Sequence, residues 1–144
     1  MSTSLGFEFI PDLYQKQQIN NTILYAFQQS NTYSWKDDAF VKGIQYFTPQ
    51  LQNRYYLNEY DNNKEYVKEH KFISTAKIRD IKDINLINNR TAKVSLELSQ
   101  TLVENNKKTN WSSKIKTVLV KNSDGNWIIS EINQSDFQGD NNLK

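Results

Sequence analysis

Between residues 91 and 102, Ala92, Val94, Leu96, Leu98 and Leu102 alternate with Lys93, Ser95, Glu97, Ser99 and Thr101. Successive side chains of a strand point to opposite faces, so this segment buries one face and wets the other. A helix would set Val94 and Leu96 roughly 200° apart around its axis and gain nothing from the pattern. A half-buried strand cannot stand alone, and the sequence supplies partners on both sides. Residues 72–87 are extended but of broken parity: Phe72, Ala76, Ile78, Ile84 and Leu86 share one, Ile73, Ile81 and Ile87 the other. A bulge within residues 80–83 reconciles the two sets and bends the sheet. Asn88-Asn89 reads as a tight turn and residues 104–108 as a polar one. Residues 111–121 form the next strand, with Trp111, Ile115 and Leu119 on one face and Val118 and Val120 on the other. Ser123-Asp124-Gly125-Asn126 is a strong hairpin signal, and residues 127–132 close the sheet.

The first half has helical periodicity instead. After a lead-in of residues 1–10, Pro11 suits the first turn of a helix over residues 12–29, whose stripe is Leu13, Ile19, Ile23, Leu24 and Phe27. Ser34 is placed as the N-cap of a second helix through residue 47, with Asp37 and Asp38 in its first turn and Trp35, Phe40 and Ile44 facing inward. Thr48-Pro49 opens a third helix to about residue 60, and residues 64–70 add a further turn after Asp61-Asn62-Asn63. Helices followed by an antiparallel meander define an α+β domain with the helices on one face of the sheet. The domain occupies residues 11–135, and 136–144 are a polar tail.

A chain of 144 residues is one domain by length and buries about 70% of its unfolded surface. It needs no disulfide, and with no cysteine it can form none. The net charge is +2, divided as −2 over residues 1–70 and +4 over 71–144. So mild and interleaved a tilt is no electrostatic footprint for nucleic acid. Lys114 and Lys116 beside Trp111 alternate along one strand and read as a wet sheet face. No run approaches the ~20 apolar residues of a membrane span, and the N-terminus lacks the basic start and apolar core of a signal peptide.

Candidates for chemistry are few. His70 is the single histidine, its neighbours Glu65 and Glu69 lie on a polar run, and a solvated or capping role outweighs a metal ligand. Asp37-Asp38 and Asp80/Asp83 could act as acid and base, but a helix's opening turn explains the first pair and a charged bulge the second. No nucleophile elbow, zinc-protease motif, P-loop or glycine-rich dinucleotide turn occurs, and four glycines leave little to cradle a phosphate. No catalytic, cofactor-binding or metal-binding residue is assigned. Aromatics concentrate in the helical half, Tyr55 and Tyr56 among them. They read as core and amphipathic surface, or as a protein-binding face, since tyrosine offers large contact area with a polar handle.

Several ordered patterns carry a resemblance. Tyr33-Ser34-Trp35 starts the second helical segment and Tyr46-Phe47-Thr48-Pro49 turns into the third. Residues 81–96, I-K-D-I-N-L-I-N-N-R-T-A-K-V-S-L, and residues 109–115, T-N-W-S-S-K-I, complete the series. Over about residues 13–133 the chain resembles the VirB-eight family of type IV secretion and conjugation machines, relatives of the Dot/Icm and TraM-like components, within the NTF-two-like superfamily. The resemblance implies a cone of three to four N-terminal helices on a curved four-stranded antiparallel sheet. It also implies a non-catalytic scaffold acting through contacts with itself and with other secretion-system subunits. It places that scaffold at the periplasmic face of the inner membrane, with an anchor upstream. Family members carry Asn-Pro-x-Gly before the last strand, implicated in self-association. Here Asn122-Ser123-Asp124-Gly125 keeps the Asn and Gly without the Pro, and a plain hairpin turn explains it equally. The interface residues implied are Asn122, Gly125, Tyr55 and Tyr56. The rival reading is an NTF-two-like small-molecule binder or enzyme of the isomerase or dehydratase class, which would need an inward carboxylate; Glu97 has the wet parity. A secreted binding module of the same fold is a third.

Overall fold

The computed structural model describes the backbone of residues 2–37, 42–54 and 60–138, and the side chains of 12–37, 42–54 and 64–135. Helix α1 spans Ser2–Ser30 and is followed by the two-residue strand β1, Tyr33–Ser34. A 3-10 turn at Ile44–Tyr46 leads to helix α2, Pro49–Gln52, continued as π-helix at residues 53 and 54, and the next described helix is α3, Tyr60–Glu69. Four long strands follow: β2 Ile73–Asn88, β3 Thr91–Glu104, β4 Lys107–Lys121 and β5 Trp127–Gln138. The strands pair antiparallel in the order β1-β2-β3-β4-β5, as one curled meander. The class is α+β as expected, with five strands rather than four.

The alternation in β3 does what the sequence predicts: Ala92, Val94, Leu96 and Leu98 are buried and Lys93 is exposed. The broken parity of β2 is resolved by register shifts between Ile78 and Asp80 and between Ile81 and Asp83. Each shift inserts one residue, so Ile78, Ile81 and Ile84, three apart, all pack against the core. A further shift between Val118 and Leu119 lets Ile129 and Ile132 of β5 both reach it. These irregularities raise the local twist, and the sheet curls.

Helix α1 closes the core. Ile19, Thr22, Ile23, Ala26 and Phe27 are its buried positions among the described side chains, offset by 0, 3, 4, 7 and 8 residues, a pattern that lines one helical face. Leu13, expected in that stripe, is 68% exposed. Asn31 ends the helix by donating its Nδ2–H to the Phe27 carbonyl at 2.8 Å, satisfying one of the last-turn acceptors. From there the chain runs along the edge of β2. Thr32 Oγ1 accepts from the Ala76 N–H at 3.2 Å and Gln28 Oε1 from the Ile78 N–H at 2.9 Å, so donors at this edge are covered by side chains.

The helical half departs from expectation where tertiary contacts compete with propensity. Ser34 does not cap a second helix: with Tyr33 it pairs with Ser74 and Ile73, and the Trp35 N–H donates to the Phe72 carbonyl at 2.8 Å. Ser34 and Asp37 close a turn instead, Asp37 Oδ2 accepting from the Ser34 N–H at 2.9 Å. Gly43 has φ +71°, a left-handed conformation that no helix through residue 47 could contain. Phe40 and Asp38 lie outside the described residues. Thr48-Pro49 does start a helix, with Pro49 in its first turn; its α segment runs to Gln52, residues 53 and 54 continue it as π-helix, and residues 55–59 of the expected span to about residue 60 lie outside the described residues. Asp61-Asn62-Asn63, expected to separate two helices, lie inside α3. The lead-in backbone is helical from Ser2, and strand β5 runs to Gln138, into the segment read as a polar tail. No helix among the described residues is long and apolar enough to cross a membrane.

Candidate functional site

The inward face of β4 carries two polar residues that sequence parity leaves unremarked. Ser113 and Thr117 are each 2% exposed, on the same face as Ile115 and Leu119. Both are bonded: Thr117 Oγ1 donates to the Glu131 carbonyl at 2.7 Å, and Ser113 Oγ accepts from Gln134 Nε2 at 3.2 Å. A buried hydroxyl with its partner in place holds strands together, and an unpaired one would cost about 1–3 kcal/mol.

Where the middles of the four long strands run side by side, a cleft of about 720 Å³ opens, with Leu51 and Arg54 contributing from the α2 side. The pairing aligns Asp83, Ser95, Lys116 and Asn133 in one row, and Asn85, Lys93, Val118 and Glu131 in the next. Its charged lining is three cations, Arg54, Lys93 and Lys116, with two carboxylates, Asp83 and Glu131. Lys93, Lys116, Asp83 and Glu131 are all exposed. Rows that each carry one lysine and one carboxylate suit contact with another polar macromolecular surface, where complementary charges set register and partner.

The neighbouring row continues the pattern. Asp80, Glu97, Lys114 and Ser135 face one another across the sheet, and Lys82 Nζ lies 3.0 Å from Glu97 Oε1. The Lys82 hydrogen bond, with its charge, holds the Glu97 carboxyl below its ordinary value, and Glu97 in return raises Lys82. Glu97 is thus on the wet face, as its parity predicts. Asp80 and Asp83 each follow a register shift, in the bulged, charged stretch expected there.

Asn122 and Gly125 come together in the β4–β5 turn. Asn122 Oδ1 accepts from the Asp124 N–H at 3.0 Å and the Asn126 N–H at 2.9 Å, and the Gly125 N–H donates to the Asn122 carbonyl at 3.0 Å. Gly125 has φ +82°, which an L side chain rarely adopts, and a Cβ there would meet open space. Tyr55 and Tyr56 lie outside the described residues.

His70 sits past the C-terminal end of α3. Its Nδ1 is 2.6 Å from Glu104 Oε2, and its ring stacks on Tyr66 at 4.0 Å between centroids. Its carbonyl accepts from the Asn105 N–H at 2.9 Å, so the residue ties the helix to the β3–β4 turn. Among the described residues no group of three His, Cys, Asp or Glu could hold a metal ion. Asp37, expected in a helix's first turn, pairs with Lys42 at 3.0 Å, and that hydrogen bond is the main cause lowering its carboxyl's pKa.

Sequence reading missed the cleft because its lining comes from four strands and from Arg54. Its charged strand residues read as an ordinary wet sheet face. The available signal was the bulged stretch of 80–83, which re-aims side chains.

Neither a protein-family model nor a curated protein matches this sequence. The fold is nonetheless shared. The crystal structure of an IcmL-like type IV secretion system protein from Legionella pneumophila subsp. pneumophila str. Philadelphia 1 aligns with a TM-score of 0.59. The alignment covers 83% of this chain and 88% of that one at 10% sequence identity, so the likeness is one of fold.

Proposed function

We propose that this protein is a non-catalytic scaffold component of a type IV secretion or conjugation apparatus. In this reading it is an NTF-two-like, VirB-eight-like domain at the periplasmic face of the inner membrane, working through contacts with itself and with other apparatus subunits. The observation that carries the proposal is the likeness of fold to the IcmL-like secretion protein across 83% of the chain. The chemistry of the surface supports it. The cleft presents exposed charges of both signs, and the inward hydroxyls of Ser113 and Thr117 are engaged in holding strands. Charge rows of this kind favour specificity and steering over tight binding by area.

The test is a clean deletion complemented with cleft variants. Deletion is expected to abolish transfer of DNA or protein while the transfer ATPases stay intact. Lys93→Glu with Lys116→Glu is expected to restore a folded protein but not transfer. Normal transfer in the deletion strain defeats the proposal. A second reading, a small-molecule binder or an isomerase- or dehydratase-type enzyme, draws on the volume of the cleft, which lies within the usual range for small ligands. It would be favoured if a small molecule protected Thr117 and Val94 amides from exchange.

A further inference from the structure

A second concavity, about 430 Å³, lies at the end of the sheet next to the Asn122–Gly125 turn, apart from the charged cleft. Its chemistry is of a different kind. Gln18, Gln45, Asn122 and Asn126 bring carboxamides to it, Tyr25 and Tyr46 bring rings, and its lining contains no Lys, Arg, His, Asp or Glu. The carboxamides of Gln18, Gln45 and Asn126 have no hydrogen-bond partner among the described residues. The two tyrosine rings stack with centroids 5.9 Å apart and planes within 26°, and Tyr25 is 50% exposed. Tyr25 is therefore open to a ligand on part of its surface while held beside a second ring.

The pairing is built by a close approach. Gly43 sits just before the 3-10 turn that carries Tyr46, and a Cβ there would come within 3.0 Å of Gln29 Cβ and 3.4 Å of the Tyr25 carbonyl. The absence of a side chain lets this segment lie against α1, so that Tyr46 reaches Tyr25. Trp127 forms the floor. It is 3% exposed, and its indole N–H donates to Gln15 Oε1 at 2.7 Å.

We propose that this groove binds a neutral glycan segment. The C–H face of a pyranose ring is apolar and weakly positive, and it packs on the negative face of an aromatic ring. Hydroxyl and acetamido groups need donors and acceptors together, and a carboxamide offers both from one plane. A phosphorylated or strongly charged ligand would find no partner charge in the lining and would lose solvation. An extended peptide is less suited. Peptide docking draws on a free strand edge or on pockets for alternate side chains, and here the aromatic surface is a stacked pair of tyrosine rings. This inference does not rest on the charged cleft that the secretion proposal draws on, since the two concavities share no lining residue.

The test is titration of the ¹⁵N-labelled protein with the trimer of N-acetylglucosamine, alongside a neutral peptide of serine, asparagine and glycine. The sugar is expected to move the side-chain amides of Gln18, Gln45, Asn122 and Asn126 together at millimolar concentrations, and the peptide is not. Tyr25→Ala, at a half-exposed position that leaves the core untouched, is expected to weaken binding about tenfold, whereas Tyr25→Phe keeps the stacking face and the affinity. The proposal is overturned if the sugar moves none of these amides, if Tyr25→Ala binds as the parent does, or if the peptide moves them and the sugar does not. Loss of transfer in the cleft variants would leave this result unaffected, so the two ideas fail separately.

Discussion

Lys71, at the end of α3, holds φ +50°, where an L side chain crowds its own carbonyl. It is kept there by a closed set of bonds: Phe72 N–H to the Val67 carbonyl at 3.0 Å, Lys71 N–H to the Lys68 carbonyl at 3.3 Å, and Tyr66 packing on Phe72 with ring centroids 5.5 Å apart. That is the geometry of a Schellman ending, which prefers glycine at the left-handed position. Replacing Lys71 by Gly is therefore expected to raise stability by about 0.5–1 kcal/mol, read from urea midpoints. Gly125 offers the reverse experiment. With φ +82° and open space around it, Gly125→Ala meets no clash but strains the backbone, and is expected to cost about 1 kcal/mol. The Glu97–Lys82 pair is tested by pH. The Glu97 carboxyl is lowered in the fold, so its contribution is present above the ordinary carboxylate range and lost as pH falls through its depressed value. Lys82 is raised, so its share is present below the ordinary lysine value and lost only as pH rises through the raised one. Thermal melts of Glu97→Gln should therefore lie below the parent at neutral pH and converge with it in strong acid.

At the scale of elements, the bulges and the helix that guards β2 explain each other. A strand with register shifts cannot pair evenly along its outer edge. Residues at the end of α1 supply acceptors to that edge, Gln28 to the Ile78 N–H and Thr32 to the Ala76 N–H. Gln28→Ala removes the acceptor at the first shift and is expected to destabilise by about 1–2 kcal/mol, with faster amide exchange at Ile78 as the local signature. The bulges themselves were legible, because Ile78, Ile81 and Ile84 cannot share a face of a regular strand. The second helix was not. Ser34, Asp37 and Asp38 look like a helix start, but a local signal of that size is outweighed by pairing of Tyr33–Ser34 with β2 and by the left-handed Gly43.

For the whole molecule, the core is one continuous cluster from α1 through all four long strands, and Leu96 lies within it at 2% exposure. Leu96→Ala is expected to cost about 2–5 kcal/mol, a large part of the stability of a domain this size. Cooperative loss of signal from both Trp127 and the helical circular dichroism in one transition would show that sheet and helix fold as a unit. The two concavities sit on this scaffold at different places and with opposite chemistry, one charged and one neutral.

By itself the sequence determined the four long strands of the sheet. Alternation in β3, the parity break in β2 and the Asn122–Gly125 turn are local patterns, and side-chain period and turn conformation follow from a few neighbouring residues. Tertiary structure decided the rest. The cleft is lined from four strands plus Arg54, and the aromatic groove joins α1, the 3-10 turn and the start of β5. Residues so far apart in the chain meet only after the sheet has curled, and no local pattern encodes that meeting. The helical half followed the same rule: propensity there is worth a few tenths of a kcal/mol per residue, and pairing with an existing sheet edge is worth more.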